Sequence, residues 1–213
     1  MIKITDTMTQ GWEAAIRGMR NPMNSWDKID SEMHLCGKEL WCTIGPNDLK
    51  LMKALAKGGP VHAKYRRMIN VTCDVTAPLY WWKEFDTAKV GTVANSCSTM
   101  HKIHEKEFTL DDFSHEHLGV APTALLEAVC REMNHWRGRF LGNGEKEYWW
   151  QMIQLLPSSY NQKRTVQLNY EVLAMMYRDR KNHKLDEWRD FCKWIETLPY
   201  SELITGKEKE AEI

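Results

Sequence analysis

The 213-residue sequence has no excess of either charge: Lys plus Arg and Asp plus Glu each number 29. A chain without a net field has no general means of holding DNA or an anionic membrane, so neither is expected as a partner. No apolar run approaches a membrane span, and the first six residues lack the apolar core of a signal peptide, which makes a cytoplasmic protein the expectation. The six cysteines (Cys36, Cys42, Cys73, Cys97, Cys130, Cys192) form no CxxC pair, so reduced and mostly buried thiols are expected rather than a zinc or disulfide framework. The sequence contains no Walker loop, no GxGxxG after a strand and no GxSxG elbow. It also has no internal repeat and no linker. One domain over 1–213 is therefore expected, with the Lys- and Glu-rich stretch 206–213 as a disordered tail.

What the chain does have is tryptophan, ten in all, and clear hydrophobic periodicity. Trp12, Ala15, Ile16 and Met19 fall on one face of a helix over 11–19, and a second helix is expected over 49–57 after the Gly45-Pro46-Asn47-Asp48 turn. No pattern is readable over 24–42. From 61 to 75 the period drops to two, with Tyr65, Ile69, Val71, Cys73 and Val75 alternating with polar residues, which predicts one long strand. A short helix follows over 79–85. Further helices are expected over 123–141, 145–156, 165–180 and 185–198, bounded by glycines and prolines. The sum is an α+β fold with a helical C-terminal half.

The stretch Thr76–Met100 ends in Gly, Asn, Ser, Cys, Ser and Thr, residues that build no core but present hydroxyls and backbone N–H groups to an anion. An irregular loop after a capped helix explains the same composition equally well. His101 with His104 and His115 with His117 are half-sites without a matched second pair, so no metal is expected. Cys97, with His101 four residues on, reads as a small loop thiol. Arg178 and Arg180 end the expected 165–180 helix, where its dipole favours cations. Lys163 and Arg164 precede its start, where a bound anion or plain solvation would account for them.

Three segments together resemble the flavin-dependent thymidylate synthases, the thymidylate synthase complementing (ThyX-like) proteins. Val61-His62 ahead of a strand is similar to the family's Glu-His. Ala77-Pro78-Leu79-Tyr80 through Ser98 resembles its signature helix and loop. Leu156-Pro157, Asn169 and Arg178 resemble its late LP … N-L-R … R pattern. The family's R-H-R-x-x-S falls on Thr87-Ala88-Lys89-Val90-Gly91-Thr92, its S-x-R-Y near Ser98-Thr99-Met100-His101, and the arginine of N-L-R on Glu171. The resemblance implies a central antiparallel sheet packed with helices, and a homotetramer with nucleotide pockets at its subunit interfaces. Trp81 and Trp82 would anchor an interface or a core. It further implies FAD contacts from His62, Lys89 and Asn169, and nucleotide contacts from Lys83, Glu84, Thr92, Ser96, Ser98 and Arg178. The family reaction is reductive methylation of dUMP. The lost guanidinium groups count against it, because Thr, Ala, Met and Glu do not reproduce bidentate contacts to phosphate. A non-catalytic nucleotide-binding, sequestering or regulatory protein on the same scaffold is the alternative.

Overall fold

The computed structural model describes residues 1–36, 39–88 and 90–207. The chain runs through β1 (Lys3–Gln10), α1 (Trp12–Arg20), β2 (Glu32–Cys36), β3 (Glu39–Thr43), α2 (Pro46–Lys57), β4 (Asn70–Pro78) and α3 (Leu79–Phe85). It continues with β5 (Val93–Ser96), α4 (Thr99–Lys102), α5 (Val120–Asn143), α6 (Lys146–Leu155), β6 (Asn161–Asn169), α7 (Tyr170–Arg180), α8 (Asp186–Thr197) and α9 (Glu202–Thr205). Strands β1, β4, β6 and β5 form, in that order, an antiparallel sheet with helices about it. Strands β2 and β3 pair separately, with Met33 opposite Cys42.

Two expectations about strands are corrected. The long strand expected over 61–75 is a 3-10 turn, Ala63–Arg67, followed by β4 from Asn70 to Pro78. Within β4 the period of two holds, with Val71, Cys73, Val75 and Ala77 buried. The helix expected over 165–180 divides at Asn169. Gln162, Val166 and Leu168 point inward from β6, while exposed Lys163, Thr165 and Gln167 alternate with them. Helix geometry begins only at Tyr170, where the Asn169 side-chain carbonyl accepts from the N–H groups of Glu171 (3.1 Å) and Val172 (3.0 Å). Asparagine in this role satisfies donors that the first helical turn leaves free.

The chain falls into two compact units. The first takes Met1–Ile4, Asp74–Ala88 and Ala94–Thr165. Its core gathers Ile103, Phe108, Phe113, Leu126, Cys130, Met133 and Met152. Trp81 and Trp82, in the same unit, are fully buried and packed edge-on at 4.9 Å, as the core reading of this pair requires and the interface-anchor reading does not. Side chains of this size stabilise by about 1.5–3 kcal/mol each when removed from water.

The second unit takes Thr5–Cys73, Lys89–Val93 and Val166–Ile213. Trp12 packs edge-on against Tyr170 and Tyr200, at 5.2 and 5.5 Å. Ile16, Met52, Ile69, Leu173, Trp188, Phe191 and Leu203 are all buried. An ion pair closes its N-terminal part: Arg20 Nε donates to Asp48 Oδ1 at 2.7 Å. Asp48 Oδ2 accepts from the backbone N–H groups of Asp30 and Ser31 and from the Ser31 hydroxyl. The Asp30 carboxylate in turn accepts from the N–H groups of Asn47 and Asp48, capping α2. Gly45 makes this approach feasible, since a Cβ there would sit 2.2 Å from the Asp30 carbonyl oxygen. Of the expected tail, Gly206 closes α9 in a left-handed conformation and Lys207 Nζ donates to Glu196. Residues 208–213 lie outside the described ones.

Candidate functional site

In the first unit, the hydroxyl-rich stretch is held by β6 rather than left as a loop. The Cys97 N–H donates to the Lys163 carbonyl at 2.9 Å, and Gln162 Nε2 donates to the Cys97 carbonyl at 2.9 Å. Arg164 bridges the strand to the signature helix. Its Nε donates to Gln162 Oε1, its NH1 to Asp86 at 2.8 Å, and its guanidinium lies 4.3 Å from the centre of the Trp82 ring. Lys163 pairs with Asp74 at 2.6 Å, and the Thr165 hydroxyl donates to the same carboxylate. The Lys163 and Thr165 hydrogen bonds hold the Asp74 carboxyl below the usual carboxylate range. Lys163 and Arg164 are therefore strand residues satisfied by carboxylates. Neither sits at a helix N-terminus awaiting an anion.

Around this framework Lys83 is exposed and Glu84 half-buried on α3, and Ser96 is exposed on β5. Ser98 caps α4, its hydroxyl accepting from the His101 N–H at 3.2 Å. Cys97 is exposed. Among the described residues no three His, Cys, Asp or Glu side chains gather as metal ligands, and no helix is long and apolar enough to cross a membrane.

In the second unit, half-buried Thr92 follows Gly91, which meets Asn169 at the head of α7. Gly91 has φ +77, and a Cβ there would lie 2.9 Å from Val172 Cγ2 and 3.0 Å from Asn169 Nδ2. Only glycine combines that backbone with that closeness. His62 is exposed ahead of the 3-10 turn, its ring lying over Gly58. Arg178 is exposed and paired with Asp179 at 2.8 Å. Lys89 lies outside the described residues. Of the residues assigned to this unit, the structure brings Asn169 to the Gly91-Thr92 loop.

Sequence reasoning missed the charged groups that line the α2 side of this unit. Glu171 is buried where the resemblance expects a cation, and it faces Arg66 at 3.5 Å. Glu202, half-buried, lies 3.9 Å from Lys53. These residues come from four separate segments, and no local spacing joins them. The one readable signal was Asn169 three residues before a hydrophobic run, an N-cap pattern placed inside an expected helix.

No family model and no curated protein sequence matches the chain. Solved structures do match it. Flavin-dependent thymidylate synthase ThyX from Helicobacter pylori, complexed with FAD and dUMP, aligns with TM-score 0.71 at 13% identity over 96% of this chain and 98% of that one. A second structure of ThyX from Helicobacter pylori, with FAD and dUMP, gives TM-score 0.69 at 13% identity over 97% and 98%. The UMP/dUMP methylase PolB from Streptomyces cacaoi, bound with 5-Br dUMP, gives 0.63 at 15% identity over 97% and 95%. The fold is thus that of the flavin-dependent thymidylate synthases, as the order of features in the sequence implied.

Proposed function

We propose that this chain binds a uridine monophosphate-type nucleotide on the flavin-dependent thymidylate synthase scaffold, in pockets shared between subunits of a homotetramer. The observation that carries the reading is the ligand common to the matched structures. All three hold dUMP or its 5-bromo analogue, and the match runs over nearly the whole of each chain. Lys83, Glu84, Thr92, Ser96, Ser98 and Arg178 are the residues proposed to meet the nucleotide. Hydroxyls and backbone N–H groups would carry much of the phosphate contact that arginines supply in the family.

FAD fits the described residues less well. His62 is exposed, the Asn169 carbonyl is committed to capping α7, and Glu171 puts a buried carboxylate where the resemblance expects a guanidinium. A carboxylate repels flavin phosphates rather than holding them. The reading therefore favours nucleotide binding without reductive methylation, and no chemical step is assigned.

The test is to heat untreated purified protein, remove the precipitate, and examine the supernatant by absorbance and mass spectrometry, with calorimetric titration of dUMP alongside. A colourless supernatant together with dUMP binding is expected. Stoichiometric flavin would reinstate the family reaction and call for a methylation assay. A protein that neither carries a nucleotide nor binds dUMP would refute the reading.

A further inference from the structure

The end of α2, the 3-10 turn Ala63–Arg67 and α9 line a half-open cavity of about 270 Å³ within the second unit. Four cations line it, Lys53, Lys57, Arg66 and Lys207, against the single carboxylate of Glu202. A second cavity of about 460 Å³ adjoins it along α2, sharing Lys53 and Lys57 and adding Lys50. The chain as a whole carries no net charge, so this lining is a local excess of cations. It concentrates a local positive field that favours anions.

The floor of the smaller cavity is incompletely hydrogen-bonded. The Glu202 side chain is only 9% exposed, its Oε1 lies 3.9 Å from Lys53, and its buried Oε2 has no hydrogen-bond partner among the described residues. The Arg66 side chain is 12% exposed, and its buried Nε likewise has no acceptor. Folded proteins rarely leave such groups unmet, because an unmade bond at a buried charge costs stability. Here the Arg66 donor and the Glu202 acceptor stand unmet at one cavity, even though Glu171, its Oε2 likewise unmet, faces Arg66 at 3.5 Å. A ligand that satisfies both must bring acceptor oxygens to Arg66 and the lysines, and a donor to Glu202. Phosphate oxygens meet the first need and an alcohol hydroxyl the second. The volume exceeds that of a bare anion, given that one water occupies about 30 Å³.

We propose that this cavity is a second ligand site, separate from the signature stretch, that takes a small sugar phosphate. Lys53, Lys57 and Arg66 hold the phosphate, and Glu202 accepts from a sugar hydroxyl. Lys207 is partly committed to Glu196 and closes the rim.

Ribose 5-phosphate is the probe, titrated calorimetrically into the full-length protein, with ribose and inorganic phosphate titrated separately. Ribose 5-phosphate is expected to bind more tightly than either fragment. Lys57→Ala, an exposed change in the last turn of α2, is expected to weaken it about tenfold, the size of one lost charge-assisted contact. Glu202→Ala, which deletes the acceptor, is expected to remove most of its advantage over inorganic phosphate. The Ser96→Ala/Ser98→Ala double variant is expected to bind ribose 5-phosphate as the unmodified protein does. This site is overturned by no binding of ribose 5-phosphate, by equal affinity in the Lys57 and Glu202 variants, or by a loss confined to the serine variant. Inorganic phosphate binding as tightly as ribose 5-phosphate would overturn the assignment to sugar phosphates. Failure of dUMP to bind leaves these readouts unaffected, so the two proposals fail separately.

Discussion

Two arginine–carboxylate pairs in the second unit, one buried and one partly exposed at its arginine, use the same chemistry to opposite ends. At Arg20 and Asp48 every interaction is completed: two short contacts join the charges, and the remaining carboxylate oxygen accepts three further hydrogen bonds. At Arg66 and Glu171 the charges stand 3.5 Å apart, and Arg66 Nε, Glu171 Oε2 and nearby Glu202 Oε2 lack hydrogen-bond partners among the described residues. A buried charge repays its desolvation only when its geometry and its hydrogen bonds are complete. The first pair is therefore a lock that ties α1 to the head of α2. The second holds unused capacity beside a cavity, the arrangement expected of groups kept for something other than stability.

The lock between α1 and α2 is most exposed to loss at Asp48. Asp48→Ala leaves Arg20 buried without a counter-charge, and a loss of about 3–5 kcal/mol is expected in denaturant unfolding. A loss below about 1 kcal/mol would show that the completed pair is no lock. Next in size is Gly45→Ala, which drives a methyl into the Asp30 carbonyl and loosens the cap on α2. A loss of about 1–3 kcal/mol is expected, the usual cost of forcing atoms into a closed site, read as a lower thermal midpoint.

Glu202→Gln tests the incompletely bonded groups beside the cavity. It removes a half-buried charge that lacks full partners, so stability is expected to change by less than about 1 kcal/mol, in either direction. A loss as large as that of Asp48→Ala would mean that Glu202 is structural.

The smallest effect belongs to the exposed pair on β6. Lys163 and Thr165 hold the Asp74 carboxyl below its ordinary value, so the folded state binds that proton less readily than the unfolded chain. The stabilisation is present above the usual carboxylate value of 3.8 and is lost as pH falls through the depressed folded value. Asp74→Asn is expected to lower the thermal midpoint slightly at neutral pH and to converge with the unmodified protein in acid. A constant difference at all pH values would reject an electrostatic origin.

The sequence was most legible where one period ran undisturbed. Trp12, Ala15, Ile16 and Met19 marked the buried face of α1, and Ala77-Pro78 set the start of α3. It misled where two periods met. Tyr65 fits an alternation running back from Ile69, but the backbone there turns as a 3-10 helix. Leu168 fits both a strand and the helical stripe of Val172, Met175 and Met176, so the β6–α7 boundary was lost. The β2–β3 pair went unread because its strands are five residues each, too short for alternation to stand out. Of the site, residue types in the signature stretch were readable but their commitments were not. That Arg164 answers Asp86 and lies over Trp82, or that Glu202 comes to the cavity lined by Arg66, depends on pairing between distant segments.

The passage from β6 to α7 contains no connecting residues. Asn169 ends a ladder of period two and, in the same position, caps a helix of 3.6 residues per turn. Inserting one residue there would turn every α7 side chain through about 100° relative to the strand. Glu171, Val172 and Leu173 would swing off their buried positions, and the cap would shift away from Gly91. The junction works as a phase coupling between two rotations. Substitutions along α7 alter single contacts, but a change of length at this one point alters them all, so lineages carrying this fold are expected to vary here in residue type and to keep the count fixed.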